Sequence, residues 1–189
     1  MNKQSSPTPA LFLDRDGVIN KEVGYITHKS QLKFNFEIFN ICQFFKSKQF
    51  KIVIITNQSG IGRKIIENNE YIEINATILK KFEEEFCQID LILTSTVDPT
   101  DKSMSDEEKF LRKPNPGMIL RAQSELNLDI SKSILIGDNL TDMRAGYEAG
   151  VPNLILIKNP VINGTFFECF PDLKSCTVRL KHLFDLNLN

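Results

Sequence analysis

Short apolar runs alternate with longer amphipathic stretches along most of the chain. The short runs are rich in β-branched residues, which favour buried strands. Runs without any polar residue, such as Ile52-Val53-Ile54-Ile55, are expected where helices cover both faces of a sheet. The pattern predicts strands at residues 10–13, 51–56, 89–94, 133–136 and 154–157.

The longer stretches carry apolar residues at helical spacing and predict helices at residues 36–48, 69–87, 116–126 and 141–149. Pro116 suits a first helical turn, and Gly150 suits a helix end. The alternation of strands and helices predicts an α/β fold with a central parallel sheet. We expect a short tail at residues 1–9 and a single domain over residues 10–189, whose part from Val161 onward packs against the sheet edge or a partner.

Two connections are longer than the loops that are usual in α/β units. Residues 18–35 follow the first predicted strand and are expected to form a short flap. Residues 95–111 follow the third predicted strand and form a polar, acid-rich variable loop. Neither connection is long enough for an independent domain, so any lid at this edge of the sheet is expected to be small.

Composition and charge exclude several classes of partner. The 189 residues are 41% hydrophobic and include 23 Lys plus Arg against 24 Asp plus Glu, a net charge of -1. Binders of nucleic acid or anionic membranes usually present a basic face, so neither partner is expected. The N-terminus carries no targeting pattern and no apolar run approaches the length of a membrane span, so we expect a cytoplasmic protein.

The cysteines and histidines give no sign of a zinc site. The four cysteines show no Cys-x-x-Cys spacing, and the only histidines are His28 and His182, which are expected at the surface. Cys42 and Cys87 lie in apolar helical patterns and are expected to be buried free thiols.

Polar residues gather where the predicted strands end. In an open parallel sheet, ligands bind beyond the carboxyl ends of the strands. The polar segments at that edge supply carboxylates, a hydroxyl with nearby backbone amides, and two cations, which together can hold a phosphoryl group beside Mg²⁺. They are Asp14-Arg15-Asp16-Gly17, Thr56-Asn57-Gln58-Ser59-Gly60, Arg112-Lys113-Pro114 and Gly137-Asp138-Asn139-Leu140-Thr141-Asp142.

These residue types suit distinct steps of phosphoryl transfer. Asp14 can attack phosphorus as a carboxylate nucleophile, and Asp16 can protonate the leaving oxygen and then activate water. Mg²⁺ on Asp14, Asp138 and a nearby backbone carbonyl would prevent the carboxylates from repelling one another and the phosphate. Lys113 can neutralise charge on the nucleophile and the phosphoryl oxygens, while the Thr56 hydroxyl binds the remaining oxygens.

Each segment alone also fits a structural role as a turn or a helix entry. A calcium loop is excluded for the aspartate segments because Gly17 stands at position four rather than six and no Glu follows at position twelve. The order of the segments favours the chemical interpretation, since all of them fall at the sheet edge that a ligand would use.

The segments in this order resemble the haloacid dehalogenase-like phosphohydrolase superfamily over roughly residues 10 to 160. The strings FLDRDGVIN, GYITH, TNQSGIGR, RKPNPGM and GDNLTDM look like the branch that contains D-glycero-D-manno-heptose bisphosphate phosphatases and histidinol-phosphate phosphatases. The resemblance implies a Rossmann-like three-layer core with a minimal cap.

The resemblance also implies a set of site residues. It makes Asp14 the nucleophile and Asp16 the general acid and base, and it assigns magnesium to Asp14, the Asp16 backbone and Asp138. It places Thr56 and Lys113 on the phosphoryl group. Further substrate contacts would be Gly24, Tyr25, Asn57, Gln58, Ser59, Arg112 and Asn139.

Two departures from that branch bear on the substrate. Members commonly carry a zinc-binding loop of Cys and His ligands before the Arg-Lys-Pro segment, but residues 95–111 contain neither residue type, so no structural zinc is expected. Asn139 stands where the heptose enzymes often place a Lys, which removes a cation that would bind a second phosphate.

Two nearby residues have more than one interpretation, and a third has a predicted direction. Tyr25 either faces the substrate or packs as an ordinary aromatic. Asp142 lies one helical turn beyond Asp138, where it can approach the metal through water or cap the helix, and we favour the cap. Strand alternation predicts that Arg15 faces away from the attacking oxygen.

The sequence thus favours a magnesium-dependent phosphatase that acts on a small sugar phosphate, with a heptose bisphosphate as the expected substrate and a monomer as the expected state. Histidinol phosphate or another metabolite is the alternative within the same chemistry. A signalling receiver is disfavoured because its phosphoacceptor would follow the third strand, where only Asp98 is available in a long polar loop. The alternative from another class is a catalytically silent binding or scaffold protein on the same fold.

Overall fold

The computed structural model describes residues 6–185, so residues 1–5 of the expected tail and residues 186–189 lie outside the described part. Six parallel strands form one sheet in the order β3-β2-β1-β4-β5-β6. The strands are β1 Ala10–Leu13, β2 Lys51–Asn57, β3 Leu91–Ser95, β4 Ile134–Gly137, β5 Asn153–Ile157 and β6 Glu168–Phe170. The predicted α/β fold with a central parallel sheet is confirmed.

Helices cover both faces of this sheet. They are α1 Glu37–Ser47, α2 Ser59–Gly62, α3 Asn68–Glu84, α4 Asp106–Leu111, α5 Gly117–Leu126, α6 Leu140–Ala149 and α7 Leu173–Asp185, with short 3-10 helices at Lys29–Gln31 and Ile130–Lys132. The sequence analysis predicted α1, α3, α5 and α6. It did not predict α2, α4, α7 or β6.

Side chains of the buried strands alternate between two cores. Leu11 and Leu13 of β1 point into the core shared with α1, α3 and α7, whereas Ala10 and Phe12 point into the core shared with α5 and α6. All four β1 residues are inaccessible to solvent, which explains why this strand carries no polar residue before its end. Complete burial of each large apolar side chain contributes about 1.5–3 kcal/mol to the free energy of unfolding.

The C-terminal segment extends the sheet and one helical layer. Strand β6 pairs with β5 at the sheet edge, which confirms the expectation that this part of the chain packs there. Helix α7 lies against α1, where the Thr177 hydroxyl donates a hydrogen bond to Glu37 at 2.9 Å. The ring of Phe184 packs edge-on against Phe45, with ring centroids 5.2 Å apart.

The two ends of the flap of residues 18–35 are hydrogen-bonded to each other and to the turn that follows β1. The Gly17 amide donates to the Asn20 carbonyl at 2.7 Å, and the Asn35 amide donates to the Ile19 carbonyl at 2.9 Å. Ile26 is buried and anchors the middle of the flap. His28 caps the 3-10 helix at the flap surface, as expected for an exposed histidine.

The variable loop of residues 95–111 is ordered by hydrogen bonds and by α4. Ser105 and Glu108 form a reciprocal cap at the start of α4. Asp98 accepts a hydrogen bond from the Thr100 amide at 2.9 Å and pairs with Arg63 at 3.2 Å. The loop is therefore joined to the segment that follows β2.

Two other sequence predictions concern helices and cysteines. None of the helices within residues 6–185 combines the length and the apolar character needed to cross a membrane. Cys42 and Cys87 are buried free thiols, as predicted.

Candidate active site

A cleft of about 530 Å³ opens at the carboxyl ends of β1, β2 and β4. All the site residues predicted from the sequence line it, and Glu22, Thr141 and Asp142 join them. The structure thus brings together Asp14, Asp16, Gly24, Tyr25, Thr56, Asn57, Gln58, Ser59, Arg112, Lys113, Asp138 and Asn139 in one place.

Lys113 is the central cation at the base of the cleft. Its side chain is only 3% exposed, and Nζ lies 2.8 Å from Asp14 Oδ1 and 2.6 Å from Asp142 Oδ1. Nζ also donates to the Ile55 carbonyl at 2.9 Å. Burial opposes the charged form, but the two carboxylates outweigh it and raise the pKa of Lys113 above its usual value. The ammonium charge is therefore retained.

Asn57 fixes the backbone that presents this lysine. Its Nδ2 donates to the Lys113 carbonyl at 3.0 Å, and its Oδ1 accepts from the Lys113 amide at 3.2 Å. The resemblance implied a substrate contact for Asn57, and the structure adds this second role in joining the end of β2 to the segment before α5.

Asp14 directly follows β1, and its backbone is hydrogen-bonded to the neighbouring strand. Its backbone amide donates to the Ile136 carbonyl of β4 at 3.0 Å. Burial raises the pKa of Asp14 well above its usual value, Lys113 counteracts that rise, and the neighbouring Asp142 and Asp138 carboxylates add to it. Burial, Asp142 and Glu22 likewise raise the pKa of Asp138 to about 6. This part of the cleft carries more negative charge than Lys113 alone can balance.

The carboxylates fit a hard divalent cation. One oxygen from each of Asp14, Asp138 and Asp142 lies within 4.8 Å of the others, and oxygen donors of this kind are those that Mg²⁺ prefers. The backbone at Gly17 passes so close to Asp138 that an added Cβ would lie 2.0 Å from its Oδ2. Both Asp142 oxygens are engaged, Oδ1 by Lys113 and Oδ2 by the Asn139 amide, whereas Asp14 contacts Lys113 through Oδ1 alone, which leaves Asp14 and Asp138 with oxygens open to a cation.

Asp142 also caps α6, as we favoured from the sequence. Its Oδ2 accepts a hydrogen bond from the Asn139 amide at 3.0 Å, while Asn139 Oδ1 accepts from the Thr141 amide at 3.2 Å. The two side chains form a reciprocal cap at the start of the helix. Asp142 therefore orients both Lys113 and the helix that follows β4.

Arg15 shows a contact that the sequence analysis missed. It does not line the cleft, in agreement with the predicted direction, but its guanidinium reaches the next carboxylate along the chain. Nη2 lies 2.8 Å from Asp16 Oδ2 and donates to Gln58 Oε1 at 2.8 Å. Gln58 Nε2 in turn donates to Asp16 Oδ2 and to Thr56 Oγ1, each at 2.8 Å.

The rim of the cleft is more exposed than its base. Tyr25 is 41% exposed, and its hydroxyl accepts a hydrogen bond from Arg63 at 3.2 Å and lies 3.5 Å from Ser59 Oγ. This exposure favours the substrate-facing interpretation of Tyr25 over core packing. Arg112 donates to the Val97 carbonyl at 3.2 Å, and burial, reinforced by Arg63, lowers the pKa of its guanidinium.

Arg63 was not among the predicted site residues, although it ends the string TNQSGIGR. It contacts both the flap, through Tyr25, and the variable loop, through Asp98. The residue pattern alone contains no signal for either contact, because both partners are distant in the chain.

Comparisons with known proteins agree with this geometry. A family model described as "HAD-hyrolase-like" matches residues 110–159. The chain is 38% identical over 167 residues to the D-glycero-alpha-D-manno-heptose-1,7-bisphosphate 7-phosphatase of Campylobacter jejuni, an alignment that covers 88% of this chain and 92% of that protein. It is 37% identical over 154 residues to the D-glycero-beta-D-manno-heptose-1,7-bisphosphate 7-phosphatase of Helicobacter pylori, with 80% and 86% covered.

A solved structure shares the fold. The D,D-heptose 1,7-bisphosphate phosphatase of B. bronchiseptica, in complex with magnesium and phosphate, superposes with a TM-score of 0.80 at 20% identity and covers 93% of this chain and 99% of its own. The sequence matches cover most of both partners, and the cleft contains the residues that the family resemblance implied. The chain therefore belongs to the haloacid dehalogenase-like phosphohydrolases, in the branch of the D-glycero-D-manno-heptose 1,7-bisphosphate phosphatases, and it is a phosphoric monoester hydrolase.

Proposed function

We propose that the protein is a magnesium-dependent phosphatase that removes the 7-phosphate of a D-glycero-D-manno-heptose 1,7-bisphosphate through an aspartyl-phosphate intermediate. The observation that carries the proposal is the Asp14 carboxylate, which directly follows β1 and lies in the cleft at 2.8 Å from the buried Lys113 ammonium. The names of the C. jejuni and H. pylori relatives support the choice of substrate.

Two displacements at phosphorus make up the reaction. In the first, an Asp14 oxygen forms a bond to phosphorus while the bond from phosphorus to the sugar oxygen breaks, and Asp16 gives its proton to that oxygen. In the second, Asp16 takes a proton from water as the water oxygen attacks the phosphorus and the bond between phosphorus and the Asp14 oxygen breaks. Inorganic phosphate leaves, and both aspartates return to their starting forms.

The remaining residues stabilise the charge of the phosphoryl group. Lys113 and the Thr56 hydroxyl are placed at the base of the cleft, where they can contact phosphoryl oxygens. Mg²⁺, held by Asp14, Asp138 and the Asp16 backbone, would neutralise negative charge on the carboxylates and the phosphoryl oxygens. The crowded carboxylates and the close approach of Gly17 to Asp138 support this choice of ligands.

Substrate contacts beyond the phosphoryl group belong to the rim. We assign Gly24, Tyr25, Ser59 and Arg112 to the sugar and its second phosphate, because they line the open part of the cleft. Asn139 is exposed beside them, but its side-chain oxygen caps α6.

The test is phosphate release from both anomers of the heptose bisphosphate, histidinol phosphate, simpler sugar phosphates and nucleotides, with Mg²⁺ and with chelator. Phosphorus NMR of the product identifies the phosphate that remains. Turnover of a heptose bisphosphate with loss of the 7-phosphate supports the proposal. Preference for histidinol phosphate or another substrate, or no turnover of any, would reject it in favour of one of the alternatives raised by the sequence.

A further inference from the structure

Arg15 is a buried, charged side chain beside the cleft that the proposed reaction does not use. Arg15 is 2% exposed and directly follows Asp14 in the chain. We propose that Arg15 is a positioning residue that holds the Asp16 carboxyl group in the orientation required for proton transfer. This inference rests on the proposed function, since it needs Asp16 to act as the general acid and base.

The contacts form a closed network of three side chains. Arg15 Nε lies 3.2 Å from both Asp16 oxygens, and Arg15 Nη2 lies 2.8 Å from Oδ2. Gln58 donates to the same Oδ2 at 2.8 Å and accepts from Arg15 Nη2 at 2.8 Å. The Asp16 side chain is 19% exposed, so the carboxyl group faces the cleft on one side and is held by this network on the other.

Stability alone is a poor explanation for this arginine. A buried ion pair often stabilises a fold no better than apolar side chains of similar volume. Arg15 Nη1 is buried without a hydrogen-bond partner among the described residues, which costs stability. The hydrogen bonds that Ile19 and Asn20 donate to the Arg15 carbonyl involve only the backbone and would survive replacement of the side chain.

The geometry of the guanidinium suits an orienting role. Its planar array of donors contacts a carboxylate through more than one nitrogen, which fixes the carboxylate plane as well as its position. A misplacement of about 1 Å at a reacting group can cost about a hundredfold in rate. Arg15 itself does not line the cleft, so it acts through Asp16 rather than on the substrate.

The experiment measures how the rate depends on the leaving group. We would determine kcat/KM of the full chain with Mg²⁺ for aryl phosphates from p-nitrophenyl to phenyl phosphate and for an alkyl sugar phosphate. A good leaving group needs no proton, whereas an alkoxide does, so loss of general acid catalysis steepens the fall of kcat/KM with leaving-group pKa. A loss of folded protein lowers every rate by the same factor.

We expect wild type to show a shallow dependence and Asp16→Asn a steep one. Arg15→Met should lose about 10- to 100-fold on the alkyl substrate but less than about threefold on p-nitrophenyl phosphate. Arg15→Lys, which keeps the charge and loses the planar array, should fall between wild type and Arg15→Met. Arg179→Met, which removes an exposed ion pair with Glu168, is the matched control and should behave as wild type.

Each contrary outcome has a distinct meaning. The role of Arg15 would be overturned if both Arg15 variants lost kcat/KM by the same factor on every substrate, or lost none. The proposed function would still stand in that case, provided that Asp16→Asn shows the steep dependence on leaving-group pKa. A shallow Asp16→Asn profile would overturn Asp16 as the acid and with it the proposed mechanism. If Arg15→Met fails to fold, Arg15→Lys decides the question alone.

Discussion

The base of the cleft and its rim are built in different ways. At the base, the side chains of the ion pair between Lys113 and Asp142 are 3% and 1% exposed. The residues around this pair are held at the ends of strands. At the rim, the ion pair between Arg63 and Asp98 has side chains 36% and 24% exposed and joins two loops. Water screens the rim pair far more than the base pair. We therefore expect changes at the base to alter the chemical step and the stability, and changes at the rim to alter substrate binding.

The largest expected effect is at the nucleophile. Asp14→Asn should lower kcat by at least about 10⁴-fold, because no other group at the base can form the covalent intermediate. The melting temperature should stay equal or rise, since one of three crowded carboxylates is removed. Single-turnover phosphate release and thermal unfolding measure the two effects. Substantial turnover in this variant would show that the base is not the reaction centre.

The second-largest expected effect is that of removing magnesium. Chelation should lower kcat at least about a hundredfold, and added Mg²⁺ should restore it. In the same titration Mg²⁺ should raise the melting temperature of wild type but not of Asp138→Asn, because a ligand that binds only the folded state stabilises it. Full activity in chelator, or equal stabilisation of both proteins, would contradict the assignment of Asp14 and Asp138 to the cation.

Lys113→Met tests the base through stability as well as rate. The variant leaves two buried carboxylates without their cation, so the free energy of unfolding should fall by about 3–5 kcal/mol, as measured by urea denaturation. The double variant Lys113→Met with Asp142→Asn should recover part of that loss but none of the activity. A double variant as unstable as the single one would show that the ion pair is not the cause.

Arg63→Met should alter substrate binding rather than the chemical step, in contrast to Lys113→Met. It frees Tyr25 and Asp98 at the rim, so KM for the bisphosphate should rise about three- to tenfold while kcat changes less than about twofold. Steady-state kinetics on the bisphosphate and on a small aryl phosphate separate the two parameters. A fall in kcat on the aryl phosphate would mean that the rim takes part in the chemical step.

The smallest effect concerns Asp98. Hydrogen bonds from Thr100, supported by Arg63, lower the pKa of Asp98. Because the folded-state pKa lies below the unfolded value, the contact is complete above the ordinary carboxyl range and is lost only as the pH falls through the lowered value. A carbon NMR titration should therefore place Asp98 below about 3.9, the usual value for Asp. A midpoint at or above that value would mean that the loop is not held as described.

The sequence predicted the base better than the rim for a physical reason. Asp14 and Asp138 each follow a buried apolar strand, Thr56 lies near the end of another, and parallel strands bring their carboxyl ends to one edge. Asp142 was placed by its spacing of one helical turn from Asp138. These positions depend on local periodicity, which the residue pattern contains.

The parts that were missed depend on contacts distant in the chain or on weak local signals. The contacts of Arg15 with Asp16 and Gln58 form beyond the end of β1, where the chain turns at Gly17 with φ of 80°, so strand alternation does not predict them. Helix α4 had a usable signal in the spacing of Ser105 and Glu108, which is typical of a helix start. No local pattern could have joined Arg63 to Asp98.

The attachment of the flap has a consequence for the timing of the catalytic cycle. Because hydrogen bonds close the two ends of residues 18–35 on each other and Ile26 is buried in the core, we expect substrate to enter without waiting for a domain to swing open, and phosphate to leave by the same opening. The width of that opening and the charges along it then select among metabolites. We therefore expect that replacement of a few rim side chains can change which molecule is accepted without adding an opening step to the cycle.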